Sequence, residues 1–181
     1  MVPATFGNFF VASAGAGAAL AGLLFLAVTA EAIKSVDYGA PVERRSVSSS
    51  AFLGLINAFF ISMAGLIPDT NLGITALLAG LASAILMAFV GRELAIGQPW
   101  RAAARRIALV ALSVLLYLLE CWRGVQLIGN ASDAAPVTAL ASLLLIVYAV
   151  ALLRVWELVG AQRRGVLGQL SPLRDLDEQP R

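Results

Sequence analysis

Apolar residues run through this chain in blocks of about twenty, broken by short polar stretches. The blocks cover residues 8–30, 47–67, 72–91, 105–128 and 135–159. A bilayer core about 30 Å thick takes about 20 helical residues to cross, and open backbone hydrogen bonds are not tolerated in hydrocarbon. Long unbroken runs, without ten-residue alternation, point to helices and not to a barrel. The pattern predicts an all-α, polytopic integral membrane protein with five transmembrane helices in one domain, 1–160, followed by a polar cytoplasmic tail, 161–181.

Composition agrees with that reading. Of the 181 residues, 60% are hydrophobic and 13% charged, against about 45–50% and 25% in soluble domains. The N-terminal MVPATFGNFF has no basic leader and its apolar run is too long for a signal h-region, so the first block reads as a retained span. Charge then supplies a direction. Lys34, Arg44 and Arg45 follow the first block, and Arg92, Arg101, Arg105 and Arg106 the third. Arg163, Arg164, Arg174 and Arg181 follow the fifth, while the N-terminus, PDTN at 68–71 and GNASDA at 129–134 hold no cation. With five spans every one of those cations falls on one face. The positive-inside rule therefore puts the N-terminus out and the C-terminus in, in a bacterial cytoplasmic (inner) membrane. The Arg-rich, Ala-rich usage suits a high-GC bacterial genome.

The connections carry smaller signals. PDTN offers Asp69, Thr70 and Asn71 as helix N-caps and predicts a tight hairpin between spans two and three. GQPWRAAARR, with Pro99, reads as a short interfacial segment leading into span four. Phe9, Phe10 and Trp122 on the outer side, and Trp100 and Trp156 on the inner side, are expected to form aromatic belts. Asn130-Ala131-Ser132 fits a glycosylation tripeptide that has no meaning in a bacterial membrane.

Small residues are the conspicuous feature of spans one to three. Helices already in lipid gain nothing hydrophobic by touching, so close backbone approach across small side chains supplies the packing. At every fourth position span one shows Ala14, Ala18 and Gly22; span two Ser50, Gly54, Ala58 and Ser62; span three Ala76, Gly80, Ala84 and Ala88. These ridges predict a close-packed core of spans one to three, with the Leu/Val/Ile-rich spans four and five outside it.

Three polar groups lie deep in the predicted spans. Asn57 needs a hydrogen-bond partner across a helix interface. Glu120 and Arg123, three residues apart, are expected to pair locally on span four, and a carboxylate at that depth is by default a candidate for function, as a proton site or half of a structural ion pair. Arg154 and Glu157 read as a headgroup anchor beside Trp156, near the opposite leaflet from Glu120 and out of its reach. Chemistry of other kinds finds no footing. There is no His, one cysteine (Cys121), no phosphate-loop or dinucleotide motif, and no nucleophile–base pair. The expectation is therefore no catalytic, cofactor or metal site and no nucleic-acid partner. The chain reads as a non-enzymatic subunit or scaffold working through helix contacts with another membrane protein or itself in the bilayer. The alternative is an oligomeric channel or a small-solute or ion transporter.

The stretch NFFVASAGAGAALAGLLFLAV, residues 8–28, resembles the opening helix of a set of small, uncharacterised multi-spanning bacterial membrane proteins that share the FF, small-residue and GLLF pattern. That likeness implies a multi-spanning fold and carries over no activity or site. The following EAIKSVDYGAPVERR departs from it.

Overall fold

The computed structural model describes residues 3–34, 42–95, 100–129 and 134–160, the side chains near several helix ends excepted. The tail, Pro99 and the Asn130–Ser132 tripeptide lie outside the described residues. After a 3-10 turn at Ala4–Phe6 come five α-helices: α1 Gly7–Lys34, α2 Val42–Leu66, α3 Leu72–Ala95, α4 Trp100–Gly129 and α5 Ala134–Gly160. All five are long and apolar enough to cross a membrane. α4 already runs from Trp100, so the expected interfacial segment is the first turns of the helix itself.

Local chemistry sets the best-defined boundary. α2 ends at Leu66, Asp69 takes a left-handed backbone with φ 60°, and the side chain of Asn71 caps α3 by accepting from the Gly73 N–H at 3.0 Å. Of the three predicted cap residues, Asn71 does the capping. Outward hydroxyls close on their own helices: Thr29 donates to the Phe25 carbonyl, Thr138 to Ala134 and Ser142 to Thr138. Such bonds need no water, which suits helices apolar enough to cross a membrane.

The bundle is built around α2, which packs on α1, α3 and α5, while α3 and α4 share the most extensive interface. α1 meets α2 antiparallel, with the Phe10 ring over Gly65 and Ser13 beside Ser62. α3 and α4 are also antiparallel and touch backbone to backbone. A methyl added at Gly73 would lie 2.5 Å from the Gly124 carbonyl oxygen, and one at Gly124 would lie 2.7 Å from that of Gly73. Only glycine fits where two main chains come this close. Gly54 of α2 is seated against Ala151 and Val147 of α5.

This arrangement corrects the expected layout. Spans four and five are not outside the core: Leu116, Tyr117, Glu120, Leu140, Leu144 and Tyr148 are buried in it. The peripheral helix is α1, held chiefly by α2. The small-residue ridges divide accordingly. Ser50, Gly54, Ala58 and Ser62 are all buried, as are Ala14, Ala76, Gly80 and Ala84. Ala18, Gly22 and Ala88 face outward. The reason is geometric: at about 100° per residue a step of four advances about 40° too far, so a strict every-fourth row walks off the buried face. On α1 that face is Phe10, Ser13, Ala14, Gly17, Ala21 and Leu24, spaced by threes and fours. Phe10, expected in an aromatic belt, is fully buried, whereas Trp122 and Trp156 are exposed.

Candidate functional site

Two polar nodes lie inside the bundle, each spanning three helices. At the first, Arg154 of α5 reaches between α2 and α4, Nη1 donating to Ser50 Oγ at 2.7 Å and Nη2 to Ser113 Oγ at 3.1 Å. At the second, Asn57 Nδ2 of α2 donates to Glu120 Oε2 of α4 at 2.7 Å, and Ser83 Oγ of α3 donates to Asn57 Oδ1 at 3.1 Å. Ser50 and Asn57 are seven residues apart on α2, and Ser113 and Glu120 are seven apart on α4. Two helical turns, about 10 Å, separate the nodes on both helices. The matched spacing requires α2 and α4 to run parallel and in register.

Tyr117 fills the interval. It lies four residues beyond Ser113 and three before Glu120, so all three share a face of α4. It is buried, with its hydroxyl directed at Gly54. Tyr117, Ser50, Gly54, Ser113 and Arg154, with apolar residues of α4 and α5, line a small cleft between α2, α4 and α5. Gly54 leaves the room for the tyrosine hydroxyl there.

The Glu120 carboxyl has no exposed surface. Its Oε2 is occupied by Asn57, but its Oε1, equally buried, meets no hydrogen-bond donor. The carboxylate oxygen accepts from the NH₂ group of Asn57, and the amide oxygen then faces Ser83, whose hydroxyl donates to it. A third cluster lies on the α1–α5 side of α2. Tyr148 donates to the Ser13 carbonyl at 2.6 Å, Ser13 Oγ lies 2.6 Å from Ser62 Oγ, and Ser62 Oγ donates to the Ala58 carbonyl at 2.7 Å.

Several expected contacts are replaced by others. Arg123 does not pair with Glu120; its Nη1 donates to Gln126 Oε1 at 2.9 Å. Both partners are three residues from Arg123, one on each side, but Glu120 points into the bundle and is taken by Asn57. The two deep groups picked out separately, Asn57 and Glu120, are thus one site. Arg154 is no headgroup anchor, since it is buried at 5% exposure and its guanidinium points inward to two serines. The Glu157 side chain lies outside the described residues. Glu120 and Arg154 stay about two turns apart, as expected, but both sit on one internal seam with Tyr117 between them. Ser83 and Ser113 were missed among the seryl residues of the spans; their signal is that each falls on the buried face of its helix.

Among the described residues no group of His, Cys, Asp or Glu is placed to hold a metal ion. Comparison of the chain with protein-family models, curated proteins and solved structures gives no match.

Proposed function

We propose that the chain is a multi-pass protein of a bacterial cytoplasmic membrane, N-terminus outside and C-terminus in the cytoplasm, that serves as a non-enzymatic subunit or scaffold through helix contacts. The orientation is supported by the cation-rich connections, which fall on one face when five helices cross. The observation that carries the role is the outer face of α1. Its inner face is spent on α2, yet Gly15, Ala18, Ala19 and Gly22 look outward, and a methyl built at Gly15 or Gly22 meets nothing within 4 Å. A shallow face of this kind admits a neighbouring helix at close range, where dispersion across small residues drives association in lipid. The occupant is a helix of another membrane protein or of a second copy.

Cysteine cross-linking tests this. In a Cys121→Ser background, Gly22→Cys labelled with a benzophenone maleimide, which inserts into any nearby C–H bond on illumination, is expected to give a photo-adduct in native membranes, its mass distinguishing a second copy from another protein. Leu78→Cys, on an outward face of α3 with large neighbours, is the control and should stay monomeric. Equal, background-level cross-linking at both positions would refute the reading.

A second reading, channel or small-solute carrier, is favoured by the buried Asn57–Glu120 node beside the cleft. Flux into vesicles reconstituted with the chain, abolished by Glu120→Gln, would select it.

A further inference from the structure

We propose that Glu120 Oε1 is an exchangeable binding site for a small monocation, a proton or a sodium ion, built by α2, α3 and α4. The site is defined by its neighbours. Asn57 Nδ2 satisfies one carboxyl oxygen, and Ser83 engages the other end of the amide. The second oxygen is buried and faces no donor. An acceptor left in that state costs on the order of 1–3 kcal/mol, more when it carries charge, and a fold held together only by polar pairs would not retain it. A cation at Oε1 supplies the missing partner and removes the charge in one step.

The surroundings limit what that cation is. From α2 the carboxyl is faced by the neutral Asn57 and from α3 by Ser83. On α4 its neighbours are Tyr117 and Cys121, and the basic group of α5 on this seam, Arg154, lies about two turns away, engaged with Ser50 and Ser113. No second carboxylate lies in the five apolar spans: of the acidic residues, only Glu120 falls within them. One carboxylate among neutral oxygens takes one positive charge; a divalent ion would stay half-neutralised. The Glu120 carboxyl is fully buried and α3 and α4 are in close contact at Gly80, opposite Cys121 and the Tyr117 carbonyl, which favours a bare ion over an organic ammonium.

The inference rests on the surroundings of Glu120 and not on the helix-contact role, so the cross-linking result neither supports nor removes it. Two measurements on the full chain in nanodiscs test it. Infrared difference spectra between acid and alkaline buffer should show, at higher frequency than the band of the solvated carboxyls, a C=O component from a carboxyl in apolar surroundings, shifted in D₂O and lost in Glu120→Gln. Dicyclohexylcarbodiimide, which adds across a protonated carboxyl in apolar surroundings, should modify Glu120 in the unsubstituted chain, located by peptide mapping. The rate should fall about tenfold per pH unit beyond the midpoint, as one proton dissociates. Mapping assigns the site even if Glu120→Gln fails to fold. Protection by sodium at constant pH, but not by choline, shows that sodium shares the site; pH dependence without sodium protection identifies a proton site. Absence of that high-frequency component, together with an unmodified Glu120, overturns the proposal.

Discussion

Replacing Gly124 by alanine tests the closest contact in the bundle. The added methyl would sit 2.7 Å from the Gly73 carbonyl oxygen, 2.8 Å from the Leu77 nitrogen and 3.2 Å from its Cα. All three are main-chain atoms, so no rotamer change relieves the clash. Reaching ordinary van der Waals distance requires α3 and α4 to part by about 0.7 Å at the crossing, and a gap of that size forfeits a quarter to a half of each contact's well depth of about 0.1–0.2 kcal/mol. Over about forty atom pairs near the crossing the loss is roughly 2 kcal/mol, inside the range of about 1–3 kcal/mol seen for overpacked cores. Gly73→Ala should cost the same or slightly more, since its methyl would meet the Gly124 oxygen at 2.5 Å. The double substitution should cost less than the sum, because one separation accommodates both methyls. Gly15→Ala and Gly22→Ala, with open space around them, are the controls and should lose nothing, alanine being the better helix former. Denaturation in mixed micelles of rising SDS fraction, followed by circular dichroism, reads the differences. If Gly124→Ala unfolds at the same SDS fraction as Gly22→Ala, the two backbones do not touch.

Three further outcomes follow from the polar nodes and can be read in the same assay. Asn57→Leu strips Glu120 of its donor and should cost about 1–3 kcal/mol, but clearly less in a Glu120→Leu background, where no acceptor remains to be orphaned. Gly17→Ala would bring a methyl 2.6 Å from the Tyr148 hydroxyl; it should destabilise the chain, and Tyr148→Phe should relieve part of that loss while itself costing about 1 kcal/mol through the bond to Ser13. Arg154→Lys should lose most of what Arg154→Leu loses, because one ammonium cannot reproduce the fork that reaches Ser50 and Ser113 together.

How far the residues themselves announce this structure differs from helix to helix. Five helices follow from run length, because hydrocarbon leaves the backbone no other way to pair, and the α2–α3 turn was readable in PDTN. The facing of the helices was not. α1 and α3 are apolar nearly all round, so beyond the buried Ser13 and Ser83 little in their side-chain polarity separates an outward side from a buried one, and the every-fourth rows through Gly22 and Ala88 drift outward. α4 is two-sided, and its polar line of Ser113, Tyr117 and Glu120 does mark its inner face. Asn57 and Glu120 were each visible as groups in need of a partner. Their union was hidden because 63 residues separate them, while Arg123, only three away, offered a nearer match. Arg154 misled for a similar reason: its place close to a helix end suggested headgroups, whereas α5 turns it toward two serines.

The fork of Arg154 also bears on how the chain is made. Ser50 leaves the ribosome 104 residues ahead of the guanidinium that will hold it, an interval on the order of ten seconds at ordinary rates of synthesis. Over that time the Ser50 hydroxyl has the Val47 carbonyl of its own helix for a partner, and the Ser13–Ser62 pair waits for Tyr148. The fifth helix is therefore the closing piece of the assembly, arriving last and quenching two sites at once. A nascent chain stopped short of it would hold the first four helices around an unfinished seam.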